Sequence, residues 1–167
     1  MKGDSAMMEL KPIGVIHSPW TEAAGTPIQT ATAKGVEGQV EVFPEFAAGL
    51  RDLDGFERIW LLYWFHRAAP ARLKVVPFLD DRERGIFATR APCRPNPIGI
   101  SAVELVRVKG RVLMVRDVDI LNETPLLDIK PYAPRFDHFA VVRSGWLDQA
   151  AGGRVEADDR FVKPERK

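Results

Sequence analysis

Short apolar stretches, some alternating and some unbroken, organise this chain. Residues 12–18 (PIGVIHS) predict a first strand, ended by Ser18-Pro19. Over 38–43, Val40 and Val42 alternate with Gln39 and Glu41, the period of a half-buried strand. Pro44 to Leu53 predicts a short helix, with Pro44 suited to its first turn and Gly49 weakening its end. Residues 56–65 are aromatic and β-branched with little polarity, which predicts a strand buried on both faces. Shorter extended pieces follow at 73–78 and 85–89. Residues 99–108 and 112–120 predict two strands joined by a tight Lys109-Gly110 turn. Residues 21–35 have no clear period and predict a long loop, a length at which loops often carry function. Many short strands, scattered prolines and few helical patterns predict a mainly β fold, an antiparallel barrel or sandwich with short helices.

Composition adds bounds. The chain has 167 residues, 46% hydrophobic and 28% charged, enough for one domain that folds without a disulfide or metal. We divide it into a loose leader (1–10), a β domain (11–145) and a charged tail (146–167). The last sixteen residues carry nine charges and predict a mobile or weakly docked end. The longest apolar run, Ile59 to Phe65, is far short of the roughly 20 residues of a membrane-spanning helix. Met1 to Glu9 has no signal-peptide core. The single cysteine, Cys93, excludes an internal disulfide and a CxxC site. These features predict a soluble, cytoplasmic protein with no membrane and no metal.

Net charge is +1, but residues 58–116 carry twelve Lys/Arg against four Asp/Glu, leaving the remainder at −7. That block either attracts a polyanion or mixes with acids once folded.

No Gly-rich phosphate loop, HExxH or GxSxG is present. The most unusual stretch is FATRAPCRPNPIG (87–99). Pro92, Pro95 and Pro97 stiffen it and disfavour helix before them. It carries Arg90, Arg94 and Asn96, planar donors suited to phosphates, carboxylates or base edges, or else a structural connector with solvated arginines. A second stretch, Asp117 to Asp137, opens with Asp117, Asp119, Glu123 and Asp128 before any base. Pro131 would break a regular element, placing Asp128, Lys130 and Tyr132 at a strand end or in a loop, as a polar site or as an ion pair beside a core tyrosine. His66-Arg67 follows the 56–65 strand. The three histidines lack metal-ligand spacing. Trp60, Tyr63 and Trp64 read as core or subunit interface.

Four segments together, PIGVIHSPW (12–20), DGFERIWLLYWFHR (54–67), GIFATRAPCRPNPIGIS (85–101) and DILNETPLLDIKPYAPRFD (119–137), resemble the TrmO (TsaA-like) family. The likeness covers about residues 10–140. It implies a compact antiparallel β-barrel methyltransferase, unlike the Rossmann type, that works as a homodimer. It uses S-adenosylmethionine to methylate N6 of threonylcarbamoyladenosine beside the tRNA anticodon. On that analogy His66, Arg67 and Arg90 line the cofactor site, Asp128, Ile129, Lys130 and Pro131 hold the adenosyl or methionine portion, and Thr30, Ala31 and Thr32 close over it. We assign Asp128 or Tyr132 as acceptor of the N6 proton, Tyr132 otherwise stacking on the base, with Arg94 and Asn96 orienting substrate. The chain departs from the family where Asn122-Glu123-Thr124-Pro125 replaces the usual Asp-Gly-Thr-Pro, and set against the longer members its length predicts no C-terminal domain. Those departures keep open a non-catalytic S-adenosylmethionine- or RNA-binding module, or a different acceptor.

Overall fold

The computed structural model describes residues 9–150 and 154–163. Most of the leader therefore lies outside the described residues. Six strands close an antiparallel barrel: β1 (Gly14–His17), β2 (Glu37–Val42), β3 (Arg58–Trp64), β6 (Ile98–Lys109), β7 (Val112–Arg116) and β8 (Thr124–Pro131). Their order around the barrel is β1-β2-β7-β6-β3-β8, with β8 returning to β1. Two two-residue strands, β4 (Lys74–Val75) and β5 (Arg84–Gly85), form a separate hairpin outside it. Closure leaves the six-stranded sheet without a bare edge.

The strands form broadly where the pattern predicts, with several differences, and the extended piece expected over 85–89 is instead the end of β5 followed by a 3-10 turn at Ile86–Ala88. The predicted helix at 44–53 is two 3-10 turns, Pro44–Leu50 and Leu53–Gly55. The strand at 112–120 stops at Arg116, because Asp117 takes a left-handed backbone (φ 68) and turns the chain. The segment expected to place Asp128 and Lys130 at a strand end or in a loop forms a strand, β8, with Lys130 and Pro131 at its end, and it pairs with both β1 and β3. Pro131 is tolerated because it is the strand's last residue, where no further ladder bond is needed. Gly110 (φ 61) makes the β6–β7 turn as read from the sequence.

Alternate residues of each strand point into the barrel. Ile16, Val40, Ile59, Leu61, Val103, Leu113 and Leu126 are fully buried there. β3 is not buried on both faces, contrary to expectation. Ile59, Leu61 and Tyr63 point inward, whereas Trp60 and Leu62 are half-buried and Trp64 is exposed. The unbroken apolar run thus reflects an apolar outer face. A second, smaller core lies outside the barrel, where Val75, Ile86, Cys93 and Phe161 pack with Phe78.

Phe161 brings in the C-terminal segment, which is docked rather than loose over its described part. Ile28 N–H donates to Val155 O and Ala157 N–H to Thr26 O. Ala69 N–H donates to Phe161 O and Lys163 N–H to Arg67 O. This strap ties the early loop to the chain following β3.

Candidate functional site

Two hydrogen-bonded seams, the early loop with the strap and the proline-stiffened loop with β3, enclose a cavity of about 760 Å³ at one end of the barrel. Its floor is made by Tyr63 at the end of β3, Gly99 at the start of β6 and Asp119 beyond β7. Its walls come from 23–29, from 87–94 and from the strap, including Phe161. Phe65 N–H donates to Pro97 O (2.7 Å) and Arg72 N–H to Cys93 O (3.0 Å), fixing the stiff loop against the chain after β3.

The floor carries a buried polar chain. The Ser101 hydroxyl donates to Asp119 Oδ1 (2.7 Å), and the Tyr63 hydroxyl lies 3.0 Å from Ser101 Oγ. With Ser101 Oγ donating to the carboxylate, the Tyr63 hydroxyl supplies the proton to Ser101. Burial pushes the Asp119 carboxyl up to about 6; the Ser101 hydroxyl, the backbone N–H groups of Asp119 and Thr30 and the charge of Arg90 only partly offset this. Burial and the neighbouring Asp119 charge push the Tyr63 hydroxyl well above its ordinary range, so it stays protonated.

At the mouth, Arg90 Nη1 donates to Gln29 Oε1 (2.6 Å), bridging the stiff loop and the early loop. Arg67 donates to Thr21 O (2.5 Å) and pairs with Glu22 (3.2 Å). Burial, and then the charge of Arg67, hold His66 below its ordinary value, so it is neutral near pH 7. Thr124 Oγ1 donates to Leu121 O (2.7 Å) and lies 3.4 Å from His66 Nδ1, which favours the proton on Nδ1. Phe87 and Leu147 are exposed at the rim, and Trp146 Nε1 donates to Ala88 O (2.8 Å).

The structure divides the residues selected from the sequence. It brings His66, Arg67, Arg90 and Arg94 to one cavity. Arg94 Nη1 donates to Thr89 O (3.1 Å) and Ala91 O (3.3 Å), so it also holds its own loop. Thr30, Ala31 and Thr32 form a 3-10 turn at the rim, next to the lining residue Gln29. Asn96 is exposed and is not a lining residue of the cavity.

Asp128, Ile129, Lys130, Pro131 and Tyr132 are not lining residues either. β8 starts at Thr124 beside His66 and runs antiparallel to β3, so that Lys130 faces Trp60 and Pro131 faces Ile59. Lys130 lies six steps along the strand from Thr124, roughly 20 Å. Asp128 pairs with Lys130 (2.8 Å) in largely exposed positions, and Tyr132 packs on Trp60 with ring centroids 5.5 Å apart. Neither Asp128 nor Tyr132 reaches a group bound in this chain's own cavity.

Sequence reasoning named Asp119 among the acids of its second stretch and Tyr63 as core or interface without giving either a role, and it did not single out Ser101, Gln29 or Phe161. Asp119 had a signal: an acid between Val118 and Ile120, both of which are buried. Asn122 also has a defined task. Its Oδ1 accepts from Ser18 N–H (3.1 Å) and its N–H donates to Trp20 O (2.7 Å), clasping the 12–20 motif to the cavity floor. Among the described residues, no group of three His, Cys, Asp or Glu is placed to hold a metal ion, and no helix is long and apolar enough to cross a membrane.

The fold and the clustered motifs agree with known proteins. A probable S-adenosyl-L-methionine-binding protein of Pyrococcus abyssi is 57% identical over 143 residues, covering 86% of this chain and 78% of the relative. The tRNA (adenine(37)-N6)-methyltransferase of Escherichia coli is 35% identical over 136 residues, covering 75% of this chain and 58% of that enzyme. A crystal structure of TrmO from Pseudomonas aeruginosa superposes with a TM-score of 0.70 at 36% identity, covering 83% of this chain and 62% of that one. The chain therefore spans less than two thirds of the latter two proteins. The family described as the tRNA-methyltransferase O N-terminal domain matches residues 15–138, and with it the conclusion is direct: this chain belongs to the TrmO family.

Proposed function

We propose that the chain transfers the methyl group of S-adenosylmethionine to N6 of an adenosine beside the tRNA anticodon, the adenosine already carrying a threonylcarbamoyl group. The observation that carries the reading is the cavity itself. Its volume of about 760 Å³ lies in the range of cofactor sites, and it combines apolar walls with His66, Arg67, Arg90 and Asp119. When bound, S-adenosylmethionine supplies a methyl group already activated on a sulfonium. The protein's own work is then positioning, which can lower a barrier by roughly 7–11 kcal/mol. Neutral His66 adds no like charge near a sulfonium, and the exposed aromatic face of Phe87 tolerates a cation. Arg90, held by Gln29, and the 3-10 turn at Thr30–Thr32 close the mouth over the cofactor.

Phe87 and Trp146 at the rim give splayed anticodon-loop bases faces to stack on, with Arg94 and Asn96 on the side where the threonyl carboxylate or a phosphate arrives. Arg58, Arg67, Arg84, Arg111 and Arg116 of the basic 58–116 stretch pair with acids in the folded protein, so the attraction for RNA rests on others, among them Arg90 and Arg94 at the cavity. In this reading the protein works in the cytoplasm, with tRNA as its partner.

The working unit in this reading is a homodimer. The outer face of β3 and β6 presents Trp64 and Ile100, and the segment after β8 exposes Phe136, Phe139, Val141 and Val142. A second copy covers this surface and brings its Asp128–Tyr132 segment toward the cavity, where Asp128, Ile129, Lys130 and Pro131 add binding contacts. Mixing Arg90→Ala subunits with Asp128→Asn subunits tests this, because shared sites regain activity in the mixed dimer and separate sites do not.

The reaction itself is tested by incubating the protein with labelled S-adenosylmethionine and two tRNA pools, with and without threonylcarbamoyladenosine, followed by nucleoside mass spectrometry. Methylated threonylcarbamoyladenosine from the first pool alone is expected. Product from neither pool, with the cofactor still bound, would point to a different acceptor or to a non-catalytic binding module.

A further inference from the structure

We infer that Asp119 is the group that accepts the N6 proton of the acceptor adenosine during methyl transfer, with Ser101 and Tyr63 as the residues that position it. The inference rests on the proposed methyltransferase reading and assigns a step within it.

Three observations support the role. The first is place. Asp119 lines the large cavity described, with Arg90 near enough for its charge to act on the carboxyl and Gln29 bound to that arginine. Asp128, the carboxylate assigned from the sequence, is on the outside of the barrel, paired with Lys130. The second is orientation. Ser101 Oγ, itself buried, holds Asp119 Oδ1 at 2.7 Å, and Tyr63 completes the chain at 3.0 Å. Two carboxylate oxygens offer about four acceptor positions, so with Ser101 and the backbone N–H groups of Asp119 and Thr30 directed at it the carboxylate still has a lone pair for an incoming N–H. Gly99 makes this arrangement fit: a Cβ there would lie 2.2 Å from the Tyr63 ring, so only glycine lets the ring lie flat across it toward Ser101. The third is chemistry. The N6 lone pair of an acylated adenine is delocalised, so the nitrogen attacks well only as its proton leaves. A carboxyl with an affinity for protons raised toward neutrality is ionised at pH 7–8 and is a better base than an exposed one.

The step balances. Asp119 takes the N6 proton as the nitrogen–methyl bond forms and the methyl–sulfur bond breaks. The electron pair of that bond stays on sulfur, which leaves as a neutral thioether. The proton on Asp119 passes to solvent when products leave. No metal or further reactant takes part.

The charged and titratable groups facing Asp119 are Tyr63 from β3 and Arg90 from the stiff loop, with His66 on the chain beyond β3 as another lining residue of the cavity. Tyr63 does not titrate below pH 9. His66 is the competing base.

The test is single-turnover methylation across pH 5–9 with saturating S-adenosylmethionine and threonylcarbamoylated tRNA, with Asp119→Asn and Ser101→Ala beside wild type. Calorimetry with S-adenosylhomocysteine follows cofactor binding separately. For wild type we expect a rate that climbs tenfold per pH unit and levels off near pH 6. For Asp119→Asn we expect a loss of about 10²–10⁴-fold, no limb near pH 6 and cofactor affinity within threefold of wild type. For Ser101→Ala we expect the limb to move up by about one pH unit, because the donor that favours the ionised carboxyl is gone. Folding is checked by melting. Asp119→Asn removes a carboxylate that burial disfavours, so it should melt at or above wild type at pH 7.5. A labelled-carboxyl NMR titration should show one Asp signal titrating near pH 6 that is missing in Asp119→Asn.

An Asp119→Asn enzyme keeping more than a third of the wild-type rate overturns the inference. So does a slow variant that retains the acid limb, which points to His66, and one whose cofactor affinity falls tenfold, which makes Asp119 a cofactor ligand. A wild-type protein that binds S-adenosylhomocysteine yet methylates no tRNA refutes the underlying reading and the inference with it.

Discussion

Gly99→Ala probes both the fold and the floor of the cavity. Gly99 faces Tyr63 across the β3–β6 ladder. An added Cβ would stand 2.2 Å from Tyr63 Cε2, 2.4 Å from Cζ and 2.9 Å from Phe65 Cζ. Carbon atoms rest at about 3.5–4.0 Å, so the overlap exceeds 1 Å on two atoms. The ring is buried and packs edge-on against Phe65, centroids 5.3 Å apart, so it has no free direction in which to swing. Overpacking of this kind costs about 1–3 kcal/mol, and displacement of both rings argues for the upper end. Replacing glycine returns about 0.4–1 kcal/mol through the unfolded chain. The net is about 2 kcal/mol, a fall in Tm of about 4–8 °C for a chain of this size. Differential scanning calorimetry reads it directly. Because Tyr63 is held over Ser101, methyl transfer should fall further than stability alone explains. A Tm within 1 °C of wild type, with full transfer activity, would refute the packing argument and with it the reason for glycine at this position.

Other substitutions read separate parts of the structure. Asp117 accepts from Arg58 Nη2 (2.7 Å) and from Gly35 N–H (2.9 Å). Burial pushes its carboxyl up, but Gly35, Arg58 and the charge of Arg116 outweigh that and hold it below the ordinary range. A depressed folded value means the carboxylate stabilises the fold above pH 4 and stops doing so as pH falls through that value. Asp117→Asn should therefore cost about 1–3 kcal/mol at pH 7 in urea unfolding, and the gap should close below pH 3; a constant gap would contradict the assignment. Glu123 sits at φ 61, where a side chain is strained, so Glu123→Gly should raise stability by about 1 kcal/mol. A lower Tm in that variant would count against the strain. Phe161→Ala should loosen the strap rather than the barrel, because Phe161 packs on Phe78 at 5.0 Å in the outer core. We expect faster proteolysis between 154 and 163 and at least tenfold weaker S-adenosylhomocysteine binding, with the urea midpoint of the barrel little changed.

The barrel was legible in the sequence because most of its strands carry their own pattern. Alternation at Val40 and Val42 and the Lys109-Gly110 turn specify local structure without help from the rest of the chain. β8 was not legible, since its polar positions Asp128 and Lys130 mark an outward face and its proline looks like a breaker until the strand is seen to end there. The double burial expected of β3 failed for a related reason. An apolar outer face reads the same in sequence whether this chain or a second copy covers it. At the site, the stiff loop and His66-Arg67 were visible through unusual composition. Asp119 was not, because its significance comes from Ser101 and Tyr63, residues 18 and 56 positions away that the closed barrel brings beside it. The strap was hidden by its charge: one phenylalanine, Phe161, and a few backbone hydrogen bonds dock a segment whose composition reads as solvated.

The central claim is that cofactor and acceptor meet in the cavity floored by Tyr63, Ser101 and Asp119. A crystal structure of the protein with S-adenosylhomocysteine tests it most directly. The account predicts the ligand between His66, Arg67 and Arg90, with its sulfur turned toward the Asp119 side of the cavity and open space there for an adenine N6. Ligand bound elsewhere on the barrel, or bound here with its adenine filling the space beside Asp119, would contradict it.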